Sequence, residues 1–187
     1  HFRTLADSGR ALIWMRGLDA EHDYYNEPWL TYTGRTLEQE AGDGWTEGVH
    51  PDDLSRCIEI FAGAFARYEP FSMTYRLRRH DGEYHWFQDD GSPRYDTHGN
   101  FLGYIGHCLD VTELRQTKTA LQETAGMMES IFRVAPTGIG MMVDGLITEV
   151  NQQLCDITGY THDELVGQSM QLLLHPEKTG YAAIREL

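Results

Sequence analysis

Two stretches of the chain, Asn26 to Pro51 and Asn151 to Pro176, share a set of residues at the same spacing. Asn26 falls on Asn151, Thr33 on Thr158, Gly34 on Gly159, Thr36 on Thr161, Gly42 on Gly167, and His50-Pro51 on His175-Pro176. Upstream, after a slip of one residue, Ile13 falls on Ile139 and Met15 on Met141. A Thr-Gly pair alone recurs by chance, but a register held this long and ending on His-Pro both times marks a tandem repeat. Whatever the first copy folds into, the second begins to fold into as well. The second copy stops soon after His175, so it is expected to be cut short. The first residue is His rather than Met, and we read the chain as a piece of a longer protein.

Within the first copy, "ALIWMRG" and "DYYNEPWL" flank a turn-like segment and suggest two short strands. "TLEQEAG" reads as a helix end, with Gly42 free to take the positive φ found there. In "HPDDLSRCIEIFAGAFARYEP", Pro51 suits the first helical position, and Asp52 and Asp53 suit the positive end of the helix dipole. Leu54, Cys57 or Ile58, Phe61 and Phe65 recur at helical spacing, and Pro70 is expected to stop the helix. Asp81-Gly82 then separates two runs rich in aromatic and β-favouring residues, a hairpin signal. Met73, Tyr75 and Leu77 share one parity and are expected to face a core. A turn at Gly99-Asn100 precedes a last strand. Strands, then helices, then three strands describe an α+β unit with an antiparallel sheet.

From Val111 the period changes. Val111, Lys118, Ala125 and Phe132 fall at one heptad position and Leu114, Leu121 and Met128 at the other. Two readings stand together here: a single amphipathic helix on its own domain, or a short parallel coiled coil between two copies of the chain. Gly126 weakens the helix.

Composition narrows the partners. Fifteen basic residues against 29 acidic ones give a net charge of -14, which repels nucleic acid and anionic membrane surfaces. No window holds the roughly eighteen uninterrupted apolar residues of a membrane span, and the polar start does not resemble a signal peptide. Cys57, Cys108 and Cys155 are far apart and form no C-x-x-C, so we expect neither a zinc ribbon nor a disulfide framework, and a reducing, cytoplasmic setting.

"YRLRRHDGEYHW" followed by "GNFLGYIGHCLDVTELRQTKTALQE" resembles the C-terminal half of a PAS domain and its exit linker, and "NEPWLTYTG" and "GVHPDDLSR" resemble the helical middle of that family. The resemblance implies a complete PAS domain over residues 1–112, a connecting helix over 113–127 and the first half of a second PAS domain over 128–187. It implies a five-stranded antiparallel sheet with helices on one face. It also implies a sensory role, with the signal passed to an effector in the same chain, a histidine kinase first and a diguanylate cyclase second. The alternative from another class is a ligand-free dimerisation scaffold. Asp110-Val111-Thr112 matches the family's Asp-Ile-Thr junction, where Asp110 would accept local backbone hydrogen bonds and fix the angle between strand and helix.

No cofactor is detectable. The Asn-Cys-Arg-Phe motif of photoreactive flavin domains is missing, and Cys57 reads as a small buried thiol. Covalent haem would need C-x-x-C-H, and His50 before Pro51 reads as a helix-start residue rather than an axial ligand. His80, His85, His98 and His107 lack metal-ligand spacing, though strand parity leaves His85 or His107 open as a polar pocket group. A small-molecule pocket would draw its wall from Trp14, Phe61, Phe65, Met73, Tyr75, Trp86 and Ile105, and the same residues could equally fill a core. No phosphate loop or nucleophile elbow is present, so the fragment is not expected to be an enzyme. Leu114, Leu121 and Met128 would form the homodimer seam.

Overall fold

Polar and apolar residues alternate along β3 (Phe71–Arg78), β4 (Tyr84–Tyr95) and β5 (Phe101–Asp110), the pattern of a sheet covered on one face. In a computed structural model, which describes residues 2–19 and 23–169, these strands join β1 (Leu12–Arg16) and β2 (Tyr24–Tyr25) in one antiparallel sheet ordered β2-β1-β5-β4-β3. The chain divides into two compact units, His1–Thr117 and Lys118–Leu187.

In the first unit, α1 (Phe2–Asp7) precedes β1. Then α2 (Glu27–Thr33), α3 (Leu37–Glu40), a 3₁₀ turn at Gly44–Gly48 and α4 (Pro51–Arg67) lie between β2 and β3. The expected second strand is only two residues long, because the Asn26 side chain accepts the Trp29 N–H and starts α2 there. Pro51 occupies the first turn of α4, as its fixed φ favours. The helix ends at Arg67, before Pro70 can act, with Tyr68 in the left-handed region at φ 54°. Of the alternatives Cys57 and Ile58, Cys57 is fully buried and Ile58 is exposed. Cys57 joins Leu54, Phe61, Ala64 and Phe65 against the sheet, where Met73, Tyr75, Leu77, Phe87, Tyr104 and Cys108 are buried. Fully burying each such large side chain stabilises the fold by about 1.5–3 kcal/mol.

α5 (Thr112–Val134) leaves the sheet as a continuous 23-residue helix. It runs past residue 127, where the linker was expected to end. One glycine, Gly126, costs a helix only about 1 kcal/mol, and no proline intervenes before Pro136. The second unit continues with β6 (Gly140–Val143), β7 (Leu146–Val150), α6 (Gln152–Thr158) and α7 (His162–Leu165). β6 and β7 pair antiparallel, and Ile147, Val150, Cys155 and Leu165 form a small core.

The two copies match cap for cap. Asn26 and Asn151 cap α2 and α6, and both helices end on a left-handed glycine, Gly34 at φ 69° and Gly159 at φ 76°. Thr36 with Gln39 and Thr161 with Glu164 form capping boxes on α3 and α7. His175-Pro176 lies outside the described residues.

Candidate functional site

A carboxylate buried beneath α4 among the aromatic side chains sits on β4. Asp89 is 3% exposed. Its Oδ1 accepts a hydrogen bond from Trp14 Nε1 on β1 at 2.9 Å, and its Oδ2 accepts one from the Tyr75 hydroxyl on β3 at 3.4 Å. The Tyr75 oxygen also lies 3.6 Å from Cys108 Sγ on β5. Four strands of the sheet thus meet around one acid. Burial pushes the Asp89 carboxyl up to about 7, against the lowering pull of hydrogen bonds from Trp14, Cys108 and Tyr75. The same desolvation holds the Tyr75 hydroxyl and Cys108 thiol well above their ordinary range, and pushes Cys57 up to about 11. Tyr75, Cys108 and Cys57 stay protonated at neutral pH.

Asp89 borders a cavity of about 30 Å³, enough for a water-sized group, walled by Trp14, Tyr25, Trp29, Phe61, Met73 and Tyr75. Trp45, Phe61 and Arg16 separate it from an outer groove of about 770 Å³ that runs along α4 past Leu18, Ile58, Phe65 and Ala66. The Arg16 guanidinium lies 5.4 Å from the Phe61 ring centroid and donates to Gly42 O and Asp43 Oδ1. The arrangement offers an acid floor, aromatic walls and a door of two rings.

The structure brings Trp14, Phe61, Met73 and Tyr75 together at the cavity and sets Phe65 along the groove. Trp86 and Ile105 stand on the opposite face of the sheet. The reason is register. A two-residue Asp81-Gly82 turn would set Trp86 against Leu77, but the hairpin closes between Arg79 and Glu83, so Leu77 pairs with His85 and Arg76 with Trp86. One residue of shift turns every side chain of β4 over. His107 is exposed on the outer face. His85 is on the inner face but at the end of the sheet, where its Nδ1 lies 2.8 Å from Asp110 Oδ2 and its ring meets Tyr32. The missed residues, Asp89, Tyr25, Trp29 and Trp45, had no signal stronger than their neighbours until the register was known.

At the exit, Asp110 Oδ1 accepts the Thr112 N–H at 2.9 Å. The Val111 N–H donates to Trp86 O at 2.8 Å, and Thr112 Oγ1 accepts the Trp86 N–H at 2.8 Å. These three backbone-level links between strand and helix fall within residues 110–112. Beyond it, Leu114, Leu121 and Met128 are about 70% exposed along α5.

Family models described as the PAS fold match residues 22–108 and 126–187, and together they take in most of the chain. The chain belongs to the PAS family. Its PAS regions make it a sensory, signal-transducing module. It is 44% identical over 117 residues to the uncharacterized protein y4lL of Sinorhizobium fredii, covering 63% of this chain and 14% of that one. It is 26% identical to the two-component sensor PprA of Pseudomonas aeruginosa, covering 99% of this chain and 20% of that protein. It therefore spans a fifth or less of either relative's length. The solved structure of a sensory box histidine kinase/response regulator from Burkholderia thailandensis superposes with a TM-score of 0.51 at 22% identity, over 69% of this chain and 98% of that one. Among the described residues no cluster of His, Cys, Asp and Glu could hold a metal ion, and no helix is long and apolar enough to cross a membrane.

Proposed function

We propose that the chain is the input region of a cytoplasmic sensor histidine kinase, with residues 1–112 as the sensing PAS domain, 113–127 as the connector and 128–187 as the start of a second PAS domain. The observation that carries the sensing role is Asp89, an acid held out of water at the floor of an aromatic cavity and hydrogen-bonded to side chains on β1 and β3. A buried carboxyl with only neutral hydrogen-bond partners favours an occupant that gives it a further hydrogen bond or a positive charge. A compact aromatic N–H donor that swings Phe61 and Trp45 outward toward the groove supplies the hydrogen bond, and an amine on it adds the charge. The kinase assignment is supported by the two-component sensor relative that matches along nearly the whole chain. Transmission then runs through Asp110, Val111 and Thr112 into α5, whose exposed Leu114, Leu121 and Met128 pair with a second copy.

Thermal-shift titration of the purified chain with indole, tryptamine and indole-3-carboxylate tests the sensing role. Indole and tryptamine are expected to raise Tm, the carboxylate is not, and Asp89→Asn reduces the tryptamine response. If none of the three moves Tm and extraction of the purified protein yields no small molecule, the domain is a scaffold and the sensing role falls.

A further inference from the structure

Trp86 lies under two guanidiniums on the outer face of the sheet. The guanidinium carbon of Arg115, on α5, is 4.2 Å from its ring centroid, and that of Arg76, on β3, is 5.1 Å away. Its backbone holds the start of α5 through Thr112 and Val111. Arg76 is in turn gripped by the first turn of α4. Asp53 Oδ2 accepts from Arg76 Nε at 2.9 Å and from its backbone N–H at 3.0 Å, and Asp53 Oδ1 accepts from Nη2 at 3.0 Å. Asp52 adds a longer contact to the same Nη2 at 3.4 Å.

Two cations over one indole compete and repel each other unless one is neutralised. Asp53 neutralises Arg76 with a fork of charged hydrogen bonds, which leaves the ring to Arg115. We propose that Trp86 is the positioning residue for α5, and that Asp53, acting through Arg76, sets how firmly Arg115 rests on it. The helix that carries Asp53 also carries Phe61 over the cavity and Phe65 along the groove. A displacement of α4 therefore reaches α5 by a second route that bypasses Asp110. The use of this route as a signal path rests on the sensory reading, whereas the coupling itself needs no ligand.

Amide hydrogen exchange on the whole chain measures the coupling. Asp53→Asn, Arg115→Gln and the double variant are compared at the Val111 and Arg115 amides, with the Cys108 amide in the sheet as the folding control. Each single variant is expected to speed exchange at α5 about threefold, the size of an exposed cation–π contact. The double variant should be no faster than Arg115→Gln alone, because both act on one contact. Trp86→Phe should keep part of the protection and Trp86→Leu none. If Trp86→Leu also loses protection at Cys108, the Asp53/Arg115 cycle still decides. Additive effects in the double variant, or an Asp53→Asn that leaves α5 unchanged, overturn the proposal. No ligand enters this cycle, so its failure leaves the sensing role standing, and a cavity that binds nothing leaves the cycle standing.

Discussion

Asn151 repeats the hydrogen bonds of Asn26 one for one. Asn26 Oδ1 accepts from Ile13 N and Trp29 N, and its Nδ2 donates to Ala6 O and Ala11 O. Asn151 Oδ1 accepts from Ile139 N and Leu154 N, and its Nδ2 donates to Phe132 O and Thr137 O. Each asparagine closes a strand, caps a helix and ties back the helix before it. In the first copy that helix is α1. In the second it is the last turn of α5, so one helix is the exit of the first unit and the entry of the second.

Removing this clamp should be costly. Asn26→Ala leaves two buried N–H groups and two carbonyls without partners, and about 2–4 kcal/mol of stability should be lost from the first unit. Thermal unfolding followed at the tryptophans reads this, since Trp14, Trp29, Trp45 and Trp86 all lie in the first unit. Asn151→Ala should leave that transition in place while freeing the end of α5.

Asp89 gives stability a definite pH slope. Its carboxyl titrates near 7 when folded and near 3.8 in the unfolded chain, so the folded state holds the extra proton between those values. Stability from this group is complete below about pH 4 and falls as pH rises to 7, by at most about 4 kcal/mol. Asp89→Asn should flatten that slope and be more stable than the parent at pH 8. Urea unfolding at pH 5 and pH 8 tests it, and equal slopes in both proteins would remove Asp89 as the cause.

Gly106 lies under Trp14, and a Cβ there would sit 2.4 Å from the indole. The ring must move, and with it the hydrogen bond to Asp89. Gly106→Ala should cost about 1–3 kcal/mol by overpacking and should shift the near-ultraviolet circular dichroism of the tryptophans. An unchanged spectrum would place Trp14 elsewhere in solution.

Asp110 is exposed, so Asp110→Ala should change the thermal transition by less than about 1 kcal/mol. Its effect belongs at the helix start, where the Thr112 N–H loses its acceptor. Faster exchange at Thr112 with an intact sheet is the expected result, and in the parent protein the input should no longer change the output.

Leu121 is 70% exposed on α5. If a second copy covers it, light scattering at tens of micromolar should return twice the 21.4 kDa chain mass, and Leu121→Glu should return the single mass. A monomer before substitution would rule out the seam.

The order of elements, the start of α4 at Pro51, the helix end at Gly42 and the second copy were readable along the chain because they are local. A helix N-cap bonds two or three residues ahead, a left-handed glycine ends its own helix, and both recur wherever the residues recur. Even the one-residue slip between Ile13/Ile139 and Asn26/Asn151 has a local cause. The β1–β2 connection is long with a two-residue second strand, whereas β6 and β7 meet across Asp144-Gly145 with a five-residue second strand. What the chain could not declare was which face each strand shows. Closure of the β3–β4 hairpin at Arg79 and Glu83 alone decided that Asp89 goes in and Trp86 goes out, and a strand's period of two leaves no intermediate answer. The sequence by itself determined the repeat, and with it the family. Only the tertiary structure placed one acid beneath the aromatic core and one tryptophan at the root of the helix, because register is settled by pairing between strands rather than by the residues of any one of them.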